Sequence, residues 1–518
     1  MHREALRTGI AAEQLLEAER FDRRSFLRGA MVGGAALLAS GCTREPVAKR
    51  TGHPAPRIAI VGAGLSGMTT AYRLHQAGVS STVYEASETL LGRTMTLRGF
   101  FADGQTAEQG GEFINSDHRA IRALALELGL ALDDLTDHYR AGTEAVTYVD
   151  GGPYSPAAML ADWARVYPAV ARDAKAAPWP TLWDRHSPDA ARLDRMSLAE
   201  WIERNVPGGL RSRFGSTLSL GYTGEYALDP GDQSALNLLG ELGYSPRRRL
   251  EIYGPQDWRY RIRGGNDRVV SALADRLPDG AAVLHSPLVA LGASGDGTVR
   301  LTFASGAFTI EVVADRVVLA LPFAALARVD LDGAGFSTRK LRAIRELGMG
   351  TNAKLHLQFG RRIWYESGSD GDTLSDTGYQ ETWEEDAGSP SPTGLLVNYS
   401  GGALGAGYPV TDPHAKAPES VTRSTLQQMA PVLPGIADAF NGRAYLDSWV
   451  RDPWHLGSYA CFRPGQYTAF NGVQAGREGS VYFCGEHTSM NFQGFMNGAV
   501  ASGERVSREL LADLGLGP

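Results

Sequence analysis

The sequence predicts a mixed α/β fold in which two domains are interleaved along the chain. An apolar run at residues 58–61 leads into a glycine-rich turn and a helix, which is typical of a βαβ unit. Further apolar, strand-like runs lie near the middle and the end of the chain, at residues 317–322 and 481–484. Long segments of other character separate these runs, and 518 residues are too many for one ordinary core.

The glycine-rich turn predicts a dinucleotide site. Residues 62–67 read Gly-Ala-Gly-Leu-Ser-Gly. Gly62 permits the tight turn, Gly64 lets the backbone approach a pyrophosphate, and Gly67 lets helix and strand pack closely. Glu85 ends the next predicted strand, where a carboxylate can accept the ribose hydroxyls. The turn alone leaves open which dinucleotide binds and which reaction it serves.

Composition excludes several classes of protein. Hydrophobic residues make up 43% of the chain and charged residues 21%, as in a folded protein. A net charge of −7 argues against nucleic acid as the main partner, because phosphate binding needs a basic face. The only cysteines, Cys42, Cys461 and Cys484, are too few for a disulfide framework and lack zinc-ligand spacing. We therefore expect no metal site.

The N-terminus resembles a twin-arginine export signal. Arg23 and Arg24 precede the apolar, small-residue stretch 29–40, which is too short to span a bilayer. We interpret residues 1–42 as this signal and 43–56 as a linker, and we expect a periplasmic or extracellular protein. Cleavage before Cys42, lipid anchoring at that residue and an uncleaved N-terminal helix are left open.

Hydrophobic spacing gives a coarse order of elements. Helical spacing at residues 118–130 continues in helix-like segments to about residue 211. Farther along we expect helices at 267–277 and 498–511, strands at 282–285, 299–303, 308–313 and 353–359, and a loop at 366–378. The dinucleotide-binding domain is assigned to 57–117, 255–330 and 446–518, and the second domain, with its helical insertion, to 118–254 and 331–445.

Further segments, in the same order along the chain, resemble the FAD-dependent amine oxidases, which include monoamine, polyamine and L-amino-acid oxidases. The matching segments are 91–93 (Leu-Gly-Arg), 108–113 (Glu-Gln-Gly-Gly-Glu-Phe), 263–266, 314–322, 352–355, 449–459, and 483–499 with its Gly-Glu and Gly-Ala pairs. The resemblance implies a Rossmann-like FAD-binding domain interleaved with a substrate-binding domain of mixed sheet plus helices.

The resemblance also implies the cofactor contacts. In it, Glu486 contacts the ribose–pyrophosphate region, Arg93 neutralises phosphate and Leu288 lies against adenine. Ser458 stands where some monoamine oxidases carry a flavin-bonded cysteine, so FAD is expected to be non-covalent. The expected cofactor-binding residues are Gly62, Gly64, Ser66, Gly67, Glu85, Arg93, Gly111, Glu112, Leu288, Trp449, Gly485 and Glu486.

The resemblance assigns catalytic roles to Lys354, Tyr459 and Phe495. Lys354 would hold a water molecule near flavin N5; the alternative is an edge-strand lysine that points to solvent. Tyr459 and Phe495 would flank the substrate amine; the alternative is ordinary core packing of either ring.

The implied reaction is oxidative deamination. Hydride passes from the carbon bearing the amine to flavin N5, the imine hydrolyses to an aldehyde or 2-oxo acid plus ammonia, and O2 is reduced to hydrogen peroxide. A polyamine or secondary-amine oxidase or dehydrogenase of the same fold, an inactive flavin-binding protein and a nicotinamide-dependent dehydrogenase are the alternatives. Homodimer formation is left open.

The substrate, a small amine or amino acid, is not decided by the sequence. Phe113 stands where animal L-amino-acid oxidases carry the arginine that binds the substrate carboxylate. Either another arginine, with Arg213 and Arg259 as candidates, takes that role, or the substrate is an amine without a carboxylate. Glu112 either favours a second ammonium, as in a diamine, or is solvated.

Overall fold

The computed structural model describes residues 55–138 and 140–516. Arg57–Ala177 and Thr181–Pro518 form one compact unit, which holds every sheet of the described residues. Parallel and antiparallel sheets are both present, with helices packed on them, so the predicted mixed α/β class is confirmed. The predicted signal segment, Cys42 and nearly all of the predicted linker lie outside the described residues.

A five-stranded parallel sheet contains the predicted apolar runs. Its central strand is buried along its whole length, as expected where helices cover both faces of a sheet. In spatial order the strands are Val481–Phe483, Arg316–Leu319, Ile58–Val61, Thr82–Tyr84 and Ala282–Val283. The start, middle and end of the chain therefore meet in one sheet.

Helices with apolar faces complete the core of this sheet. They are Leu65–Gln76, Arg119–Glu127, Arg268–Ala274 and Met496–Asp513. The first and last of these helices pack directly together, since a Cβ on Gly503 would lie 2.5 Å from Ser66 O. This close approach joins the N-terminal glycine turn to the C-terminal end of the chain.

The second large element is an eight-stranded mixed sheet. In spatial order its strands are His414–Lys416, Phe440–Ser448, Ala353–Phe359, Gly394–Ser400, Gln380–Glu384, Ser369–Ser375, Glu144–Val149 and Gly152–Pro153. Its central strand, Ala353–Phe359, reads Ala-Lys-Leu-His-Leu-Gln-Phe and is buried throughout. Because side chains alternate along a strand, the apolar residues enter a core while Lys354, His356 and Gln358 share the other face.

The remaining elements surround these sheets. Further helices are Pro156–Ala176, Pro188–Asp194, Leu198–Asn205, Arg213–Tyr226, Ala235–Leu242, Phe323–Leu326, Thr338–Glu346, Gly402–Ala406, Glu419–Met429, Ile436–Ala439 and Gln466–Phe470. A three-stranded sheet consists of Leu288–Ala293, Val299–Ser305 and Phe308–Ala314. Three strand pairs are Thr96–Leu97 with Ala107–Glu108, Leu132–Asp134 with Tyr260–Ile262, and Gly348–Met349 with Ala460–Cys461.

Two secondary-structure predictions were wrong. The region to residue 211, expected to be helical, contains the strands Leu132–Asp134 and Glu144–Val149, and helices continue past it. The expected loop at 366–378 contains the strand Ser369–Ser375. Ser369, Thr373 and Ser375 are buried but hydrogen-bonded: Thr373 Oγ1, for example, lies 2.6 Å from Thr382 Oγ1 on the next strand. Tertiary pairing here overrides a composition that favours a turn.

The parallel sheet draws its strands from the segments assigned to the FAD-binding domain. The large sheet uses the other segments, although Phe440–Ser448 crosses the assigned limit at residue 445. The domain limits stay a prediction. None of the helices within residues 55–138 and 140–516 has the length and apolarity that crossing a membrane requires.

Candidate active site

The glycine turn has the geometry that the sequence predicts. Gly62 adopts a φ of +102°, and a Cβ on Gly67 would lie 2.0 Å from Gly62 O, so only glycine fits there. The helix Leu65–Gln76 begins after Gly64, and within the described residues no side chain caps it. Ser66 is buried in its first turn. Buried amides at a helix start need an acceptor, and the pyrophosphate of a dinucleotide supplies one.

Glu85 lies beside this turn, as predicted. Its Oε2 accepts a hydrogen bond from the Ala63 N–H at 2.7 Å, which fixes the carboxylate at the carboxyl end of the parallel sheet. Leu288 is buried and pairs with Phe303, whose ring stacks on that of Tyr84 at 4.5 Å. Both predicted residues therefore lie near the second strand of the dinucleotide motif.

Arg93 and Glu486 join distant segments. Arg93 Nη1 donates to Ser458 O at 2.7 Å and to Glu486 Oε1 at 3.0 Å. Glu486 Oε2 accepts from the Gly494 N–H at 2.8 Å, and Gly485 N donates to Ser502 Oγ at 2.9 Å. The two side chains, 19% and 8% exposed, therefore join residues 93, 458, 486 and 494.

The segment 108–113 is held from two sides. Trp449 Nε1 donates to Gln109 O at 2.9 Å. Asn266 Nδ2 donates to Gly111 O at 3.0 Å. The structure therefore brings the predicted residues Gly111 and Trp449 to one backbone segment.

Lys354 and Glu112 form a buried ion pair at the centre of the site. Lys354 Nζ lies 2.7 Å from Glu112 Oε2 and donates to Glu108 O at 2.7 Å. The two side chains are only 5% and 3% exposed. This rules out the solvent-pointing lysine and the solvated glutamate that the sequence left open. Burial raises the pKa of the neighbouring Glu108 to about 8, although the charge of Arg261 opposes that rise.

Tyr459 is anchored by its hydroxyl group. The hydroxyl lies 2.9 Å from Gly224 O and 3.0 Å from the hydroxyl of Tyr399, and it accepts from Asn352 Nδ2 at 3.1 Å. Burial raises the pKa of Tyr459 well above its usual value, and Tyr399 adds to the rise. The phenol therefore stays neutral and serves to fix the ring.

Phe495 lies next to Gly494, where an added Cβ would be 3.5 Å from the Tyr459 ring. Its own ring packs edge-on against His118, with centroids 5.0 Å apart. Both predicted aromatic residues thus lie in this region. Their placement on either side of an amine stays a prediction.

The structure adds an aromatic wall that sequence reasoning missed. Trp383 Nε1 donates to Glu112 Oε1 at 3.1 Å, and its ring lies 5.1 Å from the ring of Tyr399. Tyr399 pairs in register with Lys354 on one neighbouring strand and with Glu381 on the other, so these side chains share one face. Alternating polarity in Ala353–Phe359 is the sequence signal that could have identified this face.

An acidic group borders the same region. Tyr253 donates to Glu381 Oε1 at 3.0 Å, and the Glu225 backbone carbonyl lies 2.9 Å from the Tyr459 hydroxyl. Burial, with the charges of Glu225 and Asp372, raises the pKa of Glu381 to about 8 against the effect of the Tyr253 hydrogen bond. The protein alone therefore does not supply enough positive charge near Glu381 to favour its ionised form at neutral pH.

The two arginines proposed for substrate carboxylate binding have other partners. Arg213 Nη2 donates to the backbone carbonyls of Gly152 and Pro153. Arg259 Nη2 lies 2.6 Å from Asp134 Oδ2. Arg261, which sequence reasoning did not single out, lies nearer the site: its Nη1 is 3.6 Å from Glu112 Oε1. Across residues 55–138 and 140–516, no His, Cys, Asp and Glu side chains cluster as metal ligands would.

Comparison with known proteins identifies the family. Residues 65–511 match the family described as flavin containing amine oxidoreductase. The chain belongs to this family, as the sequence motifs predicted. FAD is its cofactor, also as predicted. The uncapped helix start at Gly64, the carboxylate of Glu85 and the Arg93–Glu486 junction fit such a dinucleotide.

Individual relatives of this flavin amine oxidoreductase include two kinds of enzyme. Amine oxidase [flavin-containing] A of Sus scrofa is 25% identical over an alignment of 504 positions that covers 91% of this chain and 88% of that protein. The L-amino-acid oxidase of Mus musculus is 27% identical over 512 residues, covering 90% and 72%.

Two solved structures share the fold. A double mutant of putrescine oxidase has a TM-score of 0.74 and 22% identity, covering 89% of this chain and 100% of that chain. Cyclohexylamine oxidase from Brevibacterium oxydans IH-35A has a TM-score of 0.73 and 20% identity, with the same coverage.

Proposed function

We propose that this flavin amine oxidoreductase is an oxidase of a primary amine that has no α-carboxylate, and that it yields an aldehyde, ammonia and hydrogen peroxide. The observation that carries the proposal is the position of Glu381. It shares a sheet face with Lys354 and Tyr399, and its charge lies close enough to Tyr459 to raise the pKa of that hydroxyl. A bound cation would favour the ionised form of this carboxyl group, whereas a substrate carboxylate would find no positive partner in it.

Glu381 suits the far ammonium group of a diamine. Its raised pKa means that ionisation is unfavourable in the protein alone, and a bound cation would favour the ionised form. From the sequence, binding of a second substrate ammonium was one of two alternatives for Glu112. Because Glu112 already pairs with Lys354, we assign that binding to Glu381 instead. The two solved relatives are named for putrescine and cyclohexylamine, both amines without a carboxylate.

The chain's own groups position the reactants. When bound, FAD supplies the hydride acceptor. The rings of Tyr459, Tyr399 and Trp383 exclude water and orient the amine. Lys354 holds its ammonium in place through Glu112 and Glu108 O, and we propose that it orients a water molecule there. Ser458 cannot form the thioether of a covalent flavin, so FAD is held non-covalently.

The second candidate is an L-amino-acid oxidase, and Arg261 is the observation that favours it. Its guanidinium lies beside Glu112 and could turn to a substrate carboxylate. Arg261 would then no longer compensate the charge of the buried Glu112, so an L-amino-acid oxidase is the less favourable function.

Matched substrate pairs test the proposal. Peroxide formation should be faster with phenethylamine than with L-phenylalanine, and with cadaverine than with pentylamine. Glu381→Gln should lower kcat/KM for cadaverine by about tenfold, which corresponds to 1.4 kcal/mol, and change it little for pentylamine. Faster oxidation of the amino acid, lost in Arg261→Met, would instead establish the second candidate. Failure of the whole panel to reduce the flavin would indicate an inactive flavoprotein.

A further inference from the structure

A row of three charged residues, His356, Glu385 and Asp447, lies next to Lys354 and takes no part in the proposed chemistry. His356 follows Lys354 by two residues and shares its face of the strand. Its Nδ1 lies 2.7 Å from Glu385 Oε2, and its Nε2 lies 3.1 Å from Asp447 Oδ2. All three side chains are fully buried.

The two carboxylates bind neighbouring residues of the segment that receives Lys354, one at the backbone and one at a side chain. Glu385 Oε1 accepts from the Glu108 N–H at 2.5 Å. Asp447 Oδ1 accepts from Gln109 Nε2 at 2.7 Å. The carbonyl of Glu108 in turn accepts from Lys354 Nζ at 2.7 Å. One imidazole is therefore linked through two carboxylates to the acceptor of the Lys354 ammonium.

The positive charge of His356 compensates part of the negative charge of the buried Glu385 and Asp447 carboxylates. Burial alone would lower the pKa of His356, but Glu385 and Asp447 outweigh it and raise the pKa to about 9. The charges of Lys354 and Arg261 also lower the pKa of Glu385, and the charge of His414 lowers the pKa of Asp447. Loss of the imidazolium proton would leave two buried carboxylates facing a neutral ring.

We propose that the His356 imidazolium is a positioning residue for Lys354. It fixes Glu385 and Asp447, which hold the Glu108 N–H and the Gln109 side chain, and the Glu108 carbonyl in turn fixes the ammonium in front of the flavin. His356 touches neither substrate nor cofactor in this role. The inference rests on the function proposed above for Lys354.

The first test compares two histidine variants. At pH 7.5 and saturating amine, His356→Gln should slow anaerobic flavin reduction about tenfold, because small displacements of a reacting group cost that much or more. FAD content and KM should change little. His414→Gln is the matched control: His414 also binds Asp447, at 2.7 Å, but has no hydrogen bond to Glu385. Equal losses in the two variants would overturn the proposal.

A double-mutant cycle separates positioning from a structural role. In a Lys354→Met background, His356→Gln should slow reduction no further, since the group it positions is already gone. Additive losses would overturn the proposal. Unchanged rates of both flavin reduction and reoxidation in Lys354→Met alone would instead refute the proposed role of Lys354, so the two failures are distinguishable.

The pH profile gives a readout that can be obtained even if His356→Gln does not fold. In the wild-type holoenzyme, the reduction rate at saturating amine should fall as pH rises through about 9, the pKa of His356. Lys354→Met should lack this alkaline limb, and so should His356→Gln where it folds. A limb that persists in either variant belongs to another group and would overturn the proposal.

Discussion

Lys354 Nζ and Glu112 Oε2 lie 2.7 Å apart in a site where neither side chain is more than 5% exposed. Glu112 also accepts from Trp383, and Lys354 donates to Glu108 O. The lysine is therefore held at a defined place, and the glutamate is buried only because it is paired. Removal of either partner would leave the other as a buried charge without its counter-ion.

The first prediction concerns this pair. Lys354→Met should leave FAD bound and slow flavin reduction or reoxidation strongly. It should also destabilise the holoprotein by about 3 to 5 kcal/mol, because Glu112 loses its ammonium partner. Adding Glu112→Gln should restore part of that stability but not the rate. Denaturant unfolding and stopped-flow absorbance measure the two effects.

Lys416→Met is the matched control for that prediction, since Lys416 is exposed. It should change stability by less than about 0.5 kcal/mol. Unchanged turnover in Lys354→Met would contradict the assigned role of the lysine.

The second prediction concerns Arg93. Arg93 Nη1 donates to both Ser458 O and Glu486, and Arg93→Lys keeps a positive charge but loses the planar guanidinium whose other N–H groups suit a phosphate. FAD should dissociate more readily, with a Kd about tenfold higher, a difference of 1.4 kcal/mol. Fluorescence of FAD released on dilution measures the change.

Arg98→Lys serves as the control for Arg93→Lys, because Arg98 pairs with Asp267 and is 43% exposed. A Kd that rises equally in both variants would show that the Arg93 contacts have no special role in FAD binding.

Local pattern was enough to predict the cofactor half of the site. The Gly62 turn, its helix and Glu85 are close in sequence, so their geometry follows from backbone rules, and Ala353–Phe359 is a strand as predicted. The strand Ser369–Ser375 was missed because its Ser, Asp and Gly residues favour a turn, and its pairing with Gln380–Glu384 and Glu144–Val149 is not evident from the local sequence. His356 was also missed, because its partners Glu385 and Asp447 are distant along the chain.

The third prediction is that acid precipitation releases the flavin into the supernatant. Ser458 offers no thiol, and burial raises the pKa of Cys461 to about 12 and that of Cys484 to about 11, so neither forms a reactive thiolate. Absorbance of supernatant and pellet checks this. Ser458→Cys is the informative comparison, since a yellow pellet there, but not in wild type, would show that position 458 faces the flavin. A yellow wild-type pellet would refute non-covalent binding.

The fourth prediction concerns pH and Glu381. Burial, reinforced by Glu225 and Asp372, raises the pKa of Glu381 from 4.5 to about 8, so the folded protein binds more protons than the unfolded chain between these values. Stability contributed by this group therefore falls as pH rises from 4.5 to 8. Glu381→Gln should gain stability relative to wild type over that window.

Thermal unfolding of the holoprotein at several pH values between 5 and 8 measures this difference. Glu88→Gln, at an exposed position, is the control and should show no such trend. A constant difference between Glu381→Gln and wild type would show that Glu381 titrates normally. The same glutamate would then offer no special attraction for a cation.

The last prediction concerns export. Arg23 and Arg24 precede an apolar stretch in the order that twin-arginine signals use, and this route carries folded proteins, so FAD could be acquired before transport. Changing both arginines to lysine should abolish export while leaving a yellow, active protein inside the cell. Arg3→Lys with Arg7→Lys, upstream of the pair, is the control and should export normally. Fractionation with a peroxide assay measures both, and normal export of the Arg23→Lys, Arg24→Lys protein would remove the twin-arginine assignment.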